Sequence, residues 1–184
     1  MNNYSKDQII RQTKNWLERV VVAFNFCPFA KKELLIESIY YLVEESTDLE
    51  ECLKSLFNEF MRLDENVHIE TSLLIFSNNF ESFDDFLNLV DMCNSFLELQ
   101  GYEGIYQLAT FHPQYCFADN SVNDPANFTN RSPYPTIHII REASIEKALE
   151  HYHDPESIPK RNIIVAREKG FKALQTILTN CFKI

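Results

Sequence analysis

The sequence predicts an α/β (α+β) fold. The expectation is one domain over residues 1–184, a mixed sheet of about four strands, and helices packed on it as a two-layer sandwich, with three layers as the alternative. Three observations predict it. The 184 residues suit one domain, and a hydrophobic share of 45% supplies a full core. Short runs rich in β-branched and aromatic residues alternate with segments of helical period. That alternation implies crossover connections, so part of the sheet is expected to be parallel.

The elements follow in order. Ser5 and Gln8 form a capping-box pattern, and Ile10, Leu17, Val20, Val21 and Phe24 continue at helical spacing. Cys27-Pro28 breaks that helix, and Pro28 suits the first position of a new short one with Cys27 as its N-cap. Ser38–Glu45 reads as a strand. Thr47 and Glu50 form a second capping box, ahead of a stripe of Leu49, Leu53, Leu56 and Phe60. Ile69–Phe76 is the second strand. Ser82 with Asp85 opens a helix that turns Phe83, Leu87, Val90 and Leu97 inward and stops at Gly101. Ile105–Phe111 and Thr136–Arg141 are the third and fourth strands. Helices are then expected from Ser144 to about Tyr152, from Asp154-Pro155 to Gly170, and on to the C-terminus.

Composition excludes several function classes. Three glycines leave no phosphate-cradling loop and no dinucleotide fingerprint. A net charge of −10 repels duplex nucleic acid and anionic membranes. The charge is uneven: 15 acidic and 2 basic residues from Glu44 to Glu103, against 9 basic and 6 acidic from Arg131 to Ile184. No run has the length of a membrane span, and the N-terminus lacks the signal pattern. Five cysteines (Cys27, Cys52, Cys93, Cys116, Cys181) without framework spacing are expected to be reduced thiols, which together place the protein in the cytoplasm.

The chemistry concentrates between His112 and Pro135. These 24 residues hold four prolines and no period, and they begin at the end of a strand, where open α/β sheets place ligands. They carry His112, Tyr115, Cys116, Asp119, Asp124, Asn127, Asn130, Arg131 and Ser132, with aromatic residues to anchor them.

The strings NFCPFA from Asn25, FHPQY from Phe111, TNRSPYP from Thr129 and RNI from Arg161 resemble the bacterial and plant family called domain of unknown function 1415, from about Thr13 to Glu168. The resemblance implies no activity. It implies that the Cys27 motif and the long loop belong together.

Cys27 at a helix N-cap, near Lys31 and Lys32, would be a nucleophilic thiolate or a metal ligand; the structural reading is a small packed hydrophobe. His112 would be a base or a ligand to a divalent metal such as zinc, or else a residue bonded to loop backbone that holds the loop closed. Tyr115 joins them as a third catalytic candidate. Asn130, Arg131, Ser132 and Tyr134 would bind a small, possibly anionic substrate, with Arg131 alternatively stapled to Asp119 or Asp124. His138, between isoleucines, reads as a core or edge histidine. His151 and His153 read as solvated.

Three functions follow. The favoured one is an enzyme with Cys27 and His112 in one cleft, thiol-dependent or metal-dependent. The second is a non-catalytic module for an anionic metabolite or peptide. The third is a partner protein in which Cys27 packs and His112 and Arg131 staple the loop.

Overall fold

The computed structural model describes residues 4–150 and 154–183. Helix α1 (Lys6–Trp16) starts on the expected box: the Gln8 N–H donates to Ser5 Oγ at 3.3 Å, and the Ser5 N–H donates to Gln8 Oε1 at 2.9 Å. The helix then widens into a π-helical stretch, Leu17–Val22. The extra residue per turn lets Leu17, Val20 and Val21 all reach the core beside Trp16. The stretch is capped by Ala23, and Asn25 then turns the chain with φ 54, a left-handed conformation that asparagine tolerates.

A short helix α2 (Ala30–Leu35) follows, then β1 (Ile39–Glu44), α3 (Leu49–Glu65), β2 (Thr71–Phe76), α4 (Phe83–Leu99) and β3 (Tyr106–Phe111). The N-cap of α3 is Asp48, one residue beyond the expected Thr47; its carboxylate accepts the N–H groups of Glu50 and Glu51 at 2.8 and 3.2 Å. Ser82 caps α4 as its sequence predicts. The chain leaves α4 through Gly101 at φ 80, which relieves the steric cost of the turn. After the long loop come β4 (Thr136–Arg141), α5 (Glu142–Leu149), α6 (Ser157–Lys169) and α7 (Phe171–Asn180). His151 and His153 lie outside the described residues.

The sheet order is β1-β2-β4-β3. β1 and β2 run parallel, joined by the α3 crossover, and β4 pairs antiparallel with both β2 and β3. The expected open mixed sheet of four strands is present.

The layering differs from the two-layer expectation. Alternate residues of β2 enter different cores. Leu73 and Ile75 pack with Trp16, Val20, Phe128 and Leu174. Leu74 and Phe76 pack with Leu56, Phe60, Phe86 and Cys93. Helices α1, α6 and α7 therefore line one face and α3 and α4 the other, giving three layers. The cause is in β2 itself, which is buried at every position and needs cover on both faces. The helical stripes shift too: α3 buries Cys52, Leu56, Phe60 and Leu63 and leaves Leu49 exposed, while α4 buries Phe86, Leu89, Cys93 and Leu97 and leaves Leu87 exposed. Among the described residues, no helix is long and apolar enough to cross a membrane.

Candidate functional site

The His112–Pro135 loop is ordered by its own polar groups. Strand alternation sends Phe111 to the first face, where it meets Trp16 at 5.0 Å between ring centroids, and His112 to the second, between Phe83 and Phe86, each at 5.2 Å. His112 is fully buried, and both ring nitrogens are committed. Nε2 faces the Phe80 carbonyl at 2.8 Å and must donate to it, while the Gln114 N–H donates to Nδ1 at 3.0 Å. That pair fixes the neutral tautomer. Burial also holds the imidazole pKa below its ordinary value. The Phe80 carbonyl comes from a residue at φ 60, so His112 pins a strained turn.

Arg131 is 7% exposed. Its guanidinium donates to two loop carbonyls, Nε to Tyr115 at 3.1 Å and Nη2 to Val122 at 2.8 Å, and lies over the Phe128 ring at 4.8 Å. The expected staple is present with carbonyls as its partners in place of a carboxylate. Asp124 instead caps a 3₁₀ turn, Pro125–Thr129, and pairs with Arg167 of α6 at 2.7 and 3.1 Å, which holds its carboxyl below the usual range.

The remaining candidates turn inward. Asn130 Nδ2 donates to the Thr110 carbonyl at 3.2 Å, and Ser132 Oγ donates to the Tyr134 carbonyl at 2.5 Å. Tyr134 donates its hydroxyl proton to Gln12 Oε1 of α1. Tyr115 packs on Phe83 and Phe117, both at 5.1 Å, and burial raises its phenol pKa. From outside the loop, Trp16 Nε1 donates to the Arg131 carbonyl at 2.9 Å, and Phe171 of α7 meets Phe128 edge-on at 5.3 Å. The loop is the seat on which α1, α6 and α7 dock.

Cys27 is not an N-cap. Helix α2 begins at Ala30, with Phe29 before it. The thiol is half-buried against the first core, and desolvation raises its pKa although the backbone N–H groups of Phe29 and Ala30 pull the other way. Its loop is held by α6: Asn162 Nδ2 donates to the Phe26 carbonyl at 2.6 Å, and Arg161 donates to the Asn25 carbonyl. The NFCPFA and RNI strings thus meet in space. Cys27 and His112 do not: one packs on the first face of the sheet and the other on the second. Among the described residues, no three His, Cys, Asp or Glu side chains gather as a metal site needs, so the zinc expectation has no ligand set there. All five thiols are free.

His138 stands where its isoleucine neighbours place it, half-buried on the first face beside Phe111, and its Nε2 lies 2.6 Å from Thr71 Oγ1. Thr71 gives its own proton to the Ile139 carbonyl at 2.5 Å, so Nε2 carries the imidazole proton and Nδ1 is the unprotonated nitrogen. Burial pushes this imidazole down to about 4. A feature that escaped sequence reasoning is a groove of about 350 Å³ between α3 and α4, lined by Leu53, Asp91, Met92, Ser95, Phe96 and Leu99. The only advance signal for it was an excess of apolar positions on both helices.

No curated protein and no solved structure matches the chain. A family model described as "Protein of unknown function (DUF1415)" matches residues 8–176 and so takes in the Cys27 segment, the whole long loop and the Arg161-Asn162 clamp. The chain belongs to that family.

Proposed function

We propose that the protein is a recognition module that docks another protein chain on the outer face of α3 and α4. The observation that carries this reading is how the loop's chemistry is spent. His112, Asn130, Arg131, Ser132 and Tyr134 direct their polar atoms into the protein's own hydrogen bonds. What faces outward instead is the apolar groove, with Leu99 80% exposed at one end and Met92 beside it. A contiguous exposed apolar surface with a polar rim is the mark of an interaction site. Reduced to its physics, the loop is a clasp that holds both helical layers on the sheet, and the clasped scaffold presents the groove.

Site-specific photocrosslinking in the native cell tests this. A photoreactive phenylalanine analogue in place of Leu99 or Met92 is expected to capture a discrete adduct, absent when the analogue replaces Gln107 on β3 and lost when Leu53→Gln alters the groove. Equal adducts at Gln107, or none at Leu99 and Met92, would overturn the reading.

A second reading, a thiol enzyme centred on Cys27, has one point in its favour: the backbone N–H groups of Phe29 and Ala30 pull the thiol pKa down against its burial. The burial of the thiol and the commitment of His112 weigh against it. Iodoacetamide kinetics decide the point. Cys27 is expected to react more slowly than an unhindered thiol at pH 7.5; faster alkylation than at Cys116, which is equally half-buried, would restore the enzyme.

A further inference from the structure

Resting on the recognition-module reading, we infer that the segment held in the α3/α4 groove is a basic amphipathic helix of a second protein. Shape comes first. On α3, Leu49, Leu53, Phe57 and Met61 recur every fourth residue along its outer side, a ridge of about 18 Å at 1.5 Å per residue. On α4, Met92, Phe96 and Leu99 form the facing ridge, and Phe57 and Phe96 close the floor between them at 6.3 Å. Parallel ridges with a trough between them match the ridges-into-grooves geometry by which a third helix packs. Met61 and Met92 are the only methionines beyond the first residue; Met92 lines the groove, and Met61 is exposed farther along the α3 ridge. Thioether side chains adapt to varied apolar partners.

Charge selects which helix. Together α3 and α4 hold nine acidic and two basic residues. Both basic residues are already engaged: Lys54 with Glu50 and Glu51 at 3.0 and 2.9 Å, and Arg62 with the buried Glu59 at 3.0 Å. Helix α4 carries no cation in its last turn and ends on Glu98 beside Leu99. Its C-terminal carbonyls therefore present negative potential without compensation from the helix itself. A neutral or acidic helix would leave that potential in place. A helix with leucines on one face and lysine or arginine flanking them neutralises it and fills the trough.

The test titrates the full chain with labelled synthetic peptides. The first is an 18-residue Leu/Lys amphipathic helix. The second has the same leucine face with Glu for Lys, and the third has the first peptide's composition scrambled so that no face forms. The Leu/Lys helix is expected to bind at least tenfold more tightly than either of the others. It should weaken at least tenfold with Met92→Gln/Leu99→Gln, which removes apolar surface without altering charge, and should weaken as salt rises. Equal binding of the scrambled peptide would overturn the inference, because charge alone would then explain it. Equal binding of the Glu peptide would overturn the basic partner while leaving the module reading intact. If no peptide binds and the chain instead self-associates through a groove that Met92→Gln/Leu99→Gln disrupts, the occupant is a second copy, and the inference also fails. The module reading itself fails separately, by the absence of groove-dependent crosslinks.

Discussion

Arg131 carries its charge where a lone residue would not keep one. The guanidinium is buried, desolvation lowers its pKa, and its hydrogen bonds go to the Tyr115 and Val122 carbonyls. Those carbonyls have left water, so Arg131→Ala strands them as well as emptying space over Phe128. The expected cost is about 3 kcal/mol in urea unfolding, and Arg131→Lys, a point charge that cannot fork to two carbonyls, should recover only part of it. An alanine variant as stable as the parent would remove the clasp account. His112 and His138 make a second residue-scale prediction. Both folded-state pKa values lie below the ordinary histidine value, His138 at about 4, through burial. Between the folded value and the unfolded value of about 6.5, the unfolded chain binds more protons, so stability rises with pH across that window and is lost as pH falls through it. For His138 the loss approaches about 3 kcal/mol near pH 4. Comparing unfolding at pH 7 and pH 4.5 should show a smaller drop for His138→Asn than for the parent; parallel drops would mean that His138 is not neutral in the folded protein. Nothing in the sequence distinguished His112 as clasp from His112 as base, because the difference lies in where Phe80 and Gln114 put their backbone groups.

At the scale of elements, strand and helix identity was legible and phase was not. Thr136–Arg141 coincides with β4, and Ser5 and Ser82 start α1 and α4, since caps and β-branched runs are local signals. The π-helical widening at Leu17–Val22 left no signal, because LERVVV fits an α-helical face equally well until Trp16, Val20 and Val21 must share one core. Helices α3 and α4 were harder because apolar residues occupy more than one face of each. Leu49, Leu53 and Leu87 read as core and stand at or near the surface, while Cys52, Glu59 and Cys93 are buried. Glu59 is tolerated because Arg62 and Ser72 Oγ, at 3.0 and 2.5 Å, satisfy its two oxygens. Of the misread leucines, Leu53 lines the groove, so the phase error on α3 and the docking surface share that residue. The α3 cap was displaced for a related reason: Thr47 and Asp48 are both good caps, and only the carboxylate reaches two N–H groups at once. Asp48→Ala should therefore cost about 1 kcal/mol and Thr47→Ala close to nothing. The reverse order in thermal unfolding would return the cap to Thr47.

At the scale of the molecule, two cores share one sheet. The sequence pointed to helices on a mixed sheet but not to which face each would take, since layer assignment depends on contacts far apart in the chain, such as those of Trp16 and Leu174 with Ile75. The shared sheet has a mechanical consequence. Every residue of β2 is buried, with Leu73 and Ile75 in one core and Leu74 and Phe76 in the other, so neither helical layer can leave without stripping a face of the same strand. The two cores are therefore expected to unfold as one unit. The protein supplies a reporter for each. Trp16, its one tryptophan, sits in the first core and can be followed by fluorescence. Cys93 sits in the second, with a thiol that burial pushes up to about 12, and can be followed by its labelling as it becomes exposed. In urea the two probes should give coincident midpoints. Leu73→Ala and Leu74→Ala, each costing about 3 kcal/mol, should shift both probes together although each touches only one core. If Leu73→Ala lowered the Trp16 midpoint and left Cys93 protected, the two layers would be separate folding units, and the groove on α3 and α4 would no longer depend on the packing of α1, α6 and α7 on the opposite face.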